Sequence, residues 1–174
     1  MINDDAKYIG DADRGGDFEM LDISGDVGFR VRAASLPELF VKAGLACSAL
    51  MVEPHGVQNV VSLDIEVEVV SQAGIVSQVG ILSQNTTGAD DGTLEELLVA
   101  WLNELIYRFD AEGFTAARIT VLEFSPARIK TVVSGQHYDP QIHTPGLLVK
   151  AATHHGLKIL KTNDTYLADI VLDI

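Results

Sequence analysis

The sequence has one cysteine, Cys47, so no disulfide can close within the chain. Cys47 falls on the apolar stripe of a predicted helix, where a buried, reduced thiol is expected and a catalytic one is not. No apolar run approaches the length of a membrane span, and no basic stretch leading into an apolar core opens the chain. A cytoplasmic location without membrane contact is therefore expected. Positive charge is scarce: 12 Lys and Arg stand against 25 Asp and Glu, a formal net charge of -13. Such a chain repels phosphate backbones, so strong direct nucleic-acid binding is not expected, whereas a basic protein partner would be drawn to it. Phosphate-cradling glycine motifs, Gly-x-Ser-x-Gly and helical His-x3-His pairs are all missing. His154 and His155 are adjacent and should face opposite sides of a strand, one at the surface and one packed. These gaps argue against a stand-alone enzyme.

What remains is an ordinary foldable chain, with 174 residues of which 47% are hydrophobic. Residues 1–18 are Asp- and Gly-rich without periodicity and read as a flexible acidic tail, leaving 19–174 as a single domain. Within the tail, Asp11, Asp13 and Gly16 match the first, third and sixth places of a calcium-binding loop. Gly15 at the fifth place and the short Asp22 at the twelfth break the pattern, and chance acidity explains it better. Val27, Phe29 and Val31 alternate with Gly28, Arg30 and Arg32, as in a half-buried strand. Ser35 and Glu38 form a capping box with Pro37 in the first turn, opening a helix whose apolar face runs from Leu36 to Met51.

Val60 to Val70 alternates again, with Asp64, Glu66 and Glu68 on the wet side. A six-residue near-repeat follows, and the stretch from about 70 to 92 reads as a peripheral insertion. Thr93 and Glu96 make a second capping box, and Leu94 to Phe109 carries a broad apolar stripe ending before Gly113. Residues 116–124 and 128–134 read as a hairpin; 147–160 and 165–174 read as two more strands around Asn163-Asp164. This order predicts an α+β, two-layer domain: a mostly antiparallel or mixed sheet with two main helices packed on one face.

The last residues carry the one cluster with metal-binding chemistry. If 165–174 is a strand, the Asp173 carboxylate lies beside the main-chain carboxylate of Ile174, and Asp26 would add a third anionic donor. Such an all-oxygen set suits a hard cation such as Ca²⁺ or Mg²⁺. A solvated, frayed terminus is the ordinary alternative, and the residues alone leave it open.

Taken in order, Asp26-Val-Gly-Phe-Arg-Val31, Leu36-Pro-Glu-Leu-Phe40, Leu97-x3-Trp101-Leu-Asn-Glu-Leu-Ile106, Phe109-Asp-Ala-Glu-Gly113, Tyr138-Asp-Pro140, Val149-Lys-Ala-Ala-Thr-His-His155 and Asp173-Ile174 resemble the archease family. The resemblance implies an accessory protein that activates an RtcB-type RNA ligase. That role would promote guanylylation of the ligase from GTP, and multiple turnover, in tRNA splicing and RNA repair. GTP would be used by the partner ligase. The resemblance also implies a divalent cation, Ca²⁺ first with Mg²⁺ or Mn²⁺ as alternatives, on Asp26, Asp173 and Ile174. A metal-dependent hydrolase and a general chaperone of nucleic-acid enzymes are the competing readings. Where the family usually carries His-Thr-Ala-Asp, this chain has Ile23-Ser24-Gly25-Asp26, keeping the acid and losing the imidazole.

Overall fold

The computed structural model describes residues 9–11, 18–23, 25–70 and 92–174. The six-residue repeats, and with them most of the expected insertion and tail, lie outside the described residues. Ile9–Asp11, inside the segment read as a flexible tail, instead forms a short strand, β1. The remaining elements are β2 (Phe18–Leu21), β3 (Val27–Ala33), α1 (Leu36–Met51), β4 (Val61–Glu68), α2 (Thr93–Glu112), β5 (Phe114–Ser125), β6 (Arg128–His137), β7 (Ala151–Thr162) and β8 (Thr165–Asp173).

Among the described residues the strands divide between two four-stranded sheets, ordered β1-β5-β6-β4 and β2-β3-β8-β7, with every named pairing antiparallel. The class is the α+β one expected, but the single sheet resolves into two. Alternation shows which side chains point inward and does not say which strand is the neighbour. Here β3 pairs with β8 from the far end of the chain, because the two short strands β2 and β3 cannot form a stable layer alone.

Each helix packs on strands of both sheets and on the other helix. That position explains why α1 is buried nearly all round, with Leu39, Phe40, Val41, Ala43, Leu45, Ala46, Cys47 and Met51 all inside, instead of along the single stripe expected. Gly44 sits where α1 meets Trp101, Leu105 and Ile119. Trp101, fully buried, satisfies its indole N–H on the Phe40 carbonyl at 3.2 Å. Burial pushes the Cys47 thiol up to about 12, so thiolate chemistry is closed to it.

Ser35 caps α1 as expected, its hydroxyl accepting from the Glu38 N–H at 3.3 Å. Glu38 reaches back one residue further than the simple box, to the Ala34 N–H at 2.8 Å. The second box is corrected. Gly92, at φ 83°, is the N-cap of α2 without a side-chain cap bond, and Thr93 is a buried first helical residue. At its other end α2 stops at Gly113, whose left-handed φ of 69° lets its N–H reach the Phe109 carbonyl at 2.8 Å.

The edge of β7 is covered by α2. The Asn103 carboxamide takes both the N–H and the carbonyl of Ala152, at 2.8 and 3.1 Å, and Glu95 accepts the Ile159 N–H at 3.0 Å. These bonds close an edge that would otherwise invite another strand.

Asp169 on β8 faces Arg30 on β3 through paired hydrogen bonds of 2.6 and 2.7 Å. The Arg30 hydrogen bonds and charge hold the Asp169 carboxyl below the usual carboxylate range, against a smaller opposing effect of burial. Because the folded value is the lower one, the ion pair contributes fully above the unfolded value of about 3.9. Its contribution is lost as pH falls through the folded value. With both side chains about a third exposed, screening keeps the effect on stability small, so the direct readout is carboxyl NMR. Asp169 should titrate below its unfolded value in the native protein and move back up in Arg30→Met; identical titration in the two would refute the assignment.

Candidate functional site

The strand register assembles the candidate site. β3 begins with Val27 opposite Leu172 of β8, so Asp26 lies immediately before the first pair of that ladder and Asp173 immediately after it. Both aspartates are exposed. On the other side of β8, Ala151 of β7 pairs with Asp173, and the Lys150 N–H donates to the Asp173 carbonyl at 2.8 Å. The Lys150 ammonium donates to the Ile174 main-chain oxygen at 3.0 Å.

The donor set is all oxygen: two side-chain carboxylates and the Ile174 main chain. Its chemistry fits a hard cation and excludes a soft one. The lysine ammonium already stands in as a positive partner for one of these oxygens. Among the described residues no three His, Cys, Asp or Glu side chains come together as a metal-holding group. A site here therefore depends on the main-chain donor. Ile23, at the position where an imidazole would be the family habit, covers Gly28, where any Cβ would strike its side chain. It contributes packing under the turn and no donor.

A strap preceding β7 meets the end of β8 at Lys150. Residues 147–150, expected as strand, precede β7, and the segment starts on the end of α1. Gly146 and Leu147 donate to the Met51 and Leu50 carbonyls at 2.8 and 2.7 Å, satisfying acceptors that the last helical turn leaves open. The Val149 N–H then returns to the Leu147 carbonyl at 3.1 Å, a three-residue turn that carries Leu148 outward. Leu148 is 76% exposed, with Ile174 at 42% and Leu147 at 36%. Sequence reasoning missed Leu148 and Lys150. The motif from Val149 to His155 pointed at the segment, but alternation within it suggested a plain strand.

His154 and His155 do not divide into one packed and one surface residue. Both are exposed, because the β7–β8 register shifts between Thr153 and Lys158 and the strand bulges there, with Gly156 at φ 67°.

The sequence model described as the Archease protein family (MTH1598/TM1083) matches residues 18–79 and 71–174. The chain belongs to the archease family. It is 31% identical over 162 residues to the protein archease of Pyrobaculum neutrophilum, covering 91% of this chain and 95% of that one. It is 30% identical over 161 residues to the protein archease of Pyrococcus furiosus, covering 90% and 98%. Among solved structures, the solution structure of Methanobacterium thermoautotrophicum protein 1598 shares the fold with a TM-score of 0.64 at 23% identity, over 91% of this chain and 99% of that one. The Thermotoga maritima crystal structure described as an archease, possible chaperone, aligns with a TM-score of 0.50 at 15% identity. Archease membership accounts for the whole ordered set of motifs from Asp26 to Ile174. Among the described residues, no helix is long and apolar enough to cross a membrane.

Proposed function

We propose that this archease is an accessory protein that activates an RtcB-type RNA ligase, promoting GTP-dependent guanylylation and repeated turnover in tRNA splicing and RNA repair. Membership of the archease family over nine-tenths of the chain carries the reading. Two features of the molecule support it. A protein of net charge -13 is steered toward a basic partner surface, such as an enzyme channel that holds RNA. Leu147 and Leu148, on the strap leading to Lys150, and the terminal Ile174 are exposed and offer that partner apolar contacts on an otherwise acidic protein.

Within this proposal Asp26, Asp173 and the Ile174 main-chain oxygen hold one divalent cation, Ca²⁺ first, with Mg²⁺ or Mn²⁺ as alternatives. Bound there, the ion would neutralise the carboxylates and offer a positive point to an anionic group of the partner. An activator of this kind acts by favouring the ligase state that accepts GTP.

The test is a time course of ligase–GMP formation with the protein substoichiometric to its cognate ligase, with and without divalent cation, at two salt concentrations. Faster charging, weakening at high salt, is the expected result. Equal charging with and without the protein refutes the activator reading, and phosphatase or nuclease activity of the protein alone would favour a metal-dependent hydrolase. The exposed leucines favour a general chaperone as second reading. Protection of an unrelated aggregating protein, without any effect on the ligase, would select it.

A further inference from the structure

We infer that Lys150 is a built-in competitor for the cation at Asp26, Asp173 and Ile174, its ammonium occupying the Ile174 oxygen and leaving it when a divalent ion arrives. The inference rests on the cation reading above. Its observation is independent of that reading: the ammonium lies 3.0 Å from the Ile174 oxygen, while the Lys150 backbone is bonded to Asp173 at 2.8 Å.

The two ends of this contact differ in freedom. The Ile174 oxygen directly follows Asp173, which is paired with Ala151 of β7, and Leu172 before it is paired with Val27 of β3, so the strand is anchored on both sides within two residues of that oxygen. Lys150 is exposed, and its ammonium rides on a flexible four-carbon stem. When two positive groups seek the same oxygen, the ammonium is therefore the one that moves. Ammonium and hard cation both take oxygen lone pairs, and like charges a few ångströms apart repel, so Lys150 must lower cation affinity. The displaced ammonium is carried only two residues from the exposed Leu148, on the face proposed for the partner. Cation binding would then present a free lysine to the partner's acidic or phosphorylated groups, coupling metal occupancy to docking.

The experiment is calorimetric titration of the full chain with Ca²⁺ and with Mg²⁺, on wild type, Lys150→Met and Lys150→Arg, joined to NMR of the lysine Nζ groups. Removing the competing charge should tighten Ca²⁺ binding roughly tenfold in Lys150→Met, with Lys150→Arg near wild type. The Lys150 Nζ signal of wild type should shift with Ca²⁺, and stay fixed in Asp26→Asn/Asp173→Asn. If wild type binds Ca²⁺ while Lys150→Met binds equally or more weakly, or if the Nζ signal does not move as the site fills, the competition is overturned and the cation site stands. If neither wild type nor Lys150→Met binds either ion, the cation reading itself fails and takes the inference with it. Circular dichroism of each variant confirms that the comparison is between folded proteins.

Discussion

Gly135→Ala should lower the midpoint of thermal unfolding by roughly 6–12 °C, the equivalent of about 3 kcal/mol in a chain of this size. Gly135 pairs with Ala116 of β5 on one side and Val61 of β4 on the other, immediately beside the register shift between Ala116 and Arg118. The bulge presses the two backbones together. A Cβ at Gly135 would fall on the Thr115 carbonyl oxygen and come within 3.0 Å of the Phe114 ring. Thr115 and Phe114 are both buried, and the nearest obstacle is backbone, which cannot rotate aside as a side chain would. Gly156→Ala is the matched control. At φ 67° it has open space around its missing Cβ, so it carries only backbone strain of about 1 kcal/mol. A Gly135→Ala protein melting within about 2 °C of wild type would show that β5 and β6 can separate without loss.

Gly135 also shows where sequence reasoning stops. A Ser-Gly pair after an alternating run reads as a strand end, yet β6 continues through it to His137. The glycine is there for a close approach between strands, which depends on a neighbour 20 positions away that no local pattern reveals. Features set by neighbours along the chain were legible. The Ser35 cap, the stop at Gly113, the Asn163-Asp164 turn and the alternation of β3, β4 and β8 all follow from local backbone and burial preferences. Features set by distant partners were not. The division into two sheets, the all-round burial of α1 and the docking of Gly146 on its end are properties of the assembled core.

The candidate site divides along the same line. Asp26, Asp173 and Ile174 were readable as oxygen donors of one hardness, because donor chemistry is a property of residue type. Lys150 was not readable as their neighbour, since its link to Ile174 exists only once β7 lies against β8. Ile23 was visible as a departure from the family pattern, while its role in covering Gly28 needed the β2–β3 turn to be built.

Asp26→Asn/Asp173→Asn should abolish stimulation of ligase guanylylation, to less than about a tenth of wild type, while leaving the melting temperature within about 2 °C. The substitutions keep side-chain volume at two exposed positions and remove two negative charges, so packing has little to lose. Cation affinity should fall by roughly two orders of magnitude, because charged oxygen ligands set the strength of a hard-cation site and the amides supply only dipoles. Appending a short Gly/Ser extension after Ile174 should act in the same direction, by displacing the main-chain donor while leaving both aspartates in place. The pattern among the variants separates the roles. If the double variant loses cation binding and stimulation together, the ion is part of the activating surface; if it loses binding and stimulates as wild type does, the ion is dispensable for activation and the proposal that it meets the partner is wrong. Leu148→Asp provides the second axis, placing a charge on the apolar side of the same face. It should weaken stimulation by raising the protein concentration needed while cation affinity is equal or higher, since the added carboxylate can only attract the ion, so that the loss cannot come from a lost cation. Unchanged stimulation in Leu148→Asp would move the partner's footprint away from the strap.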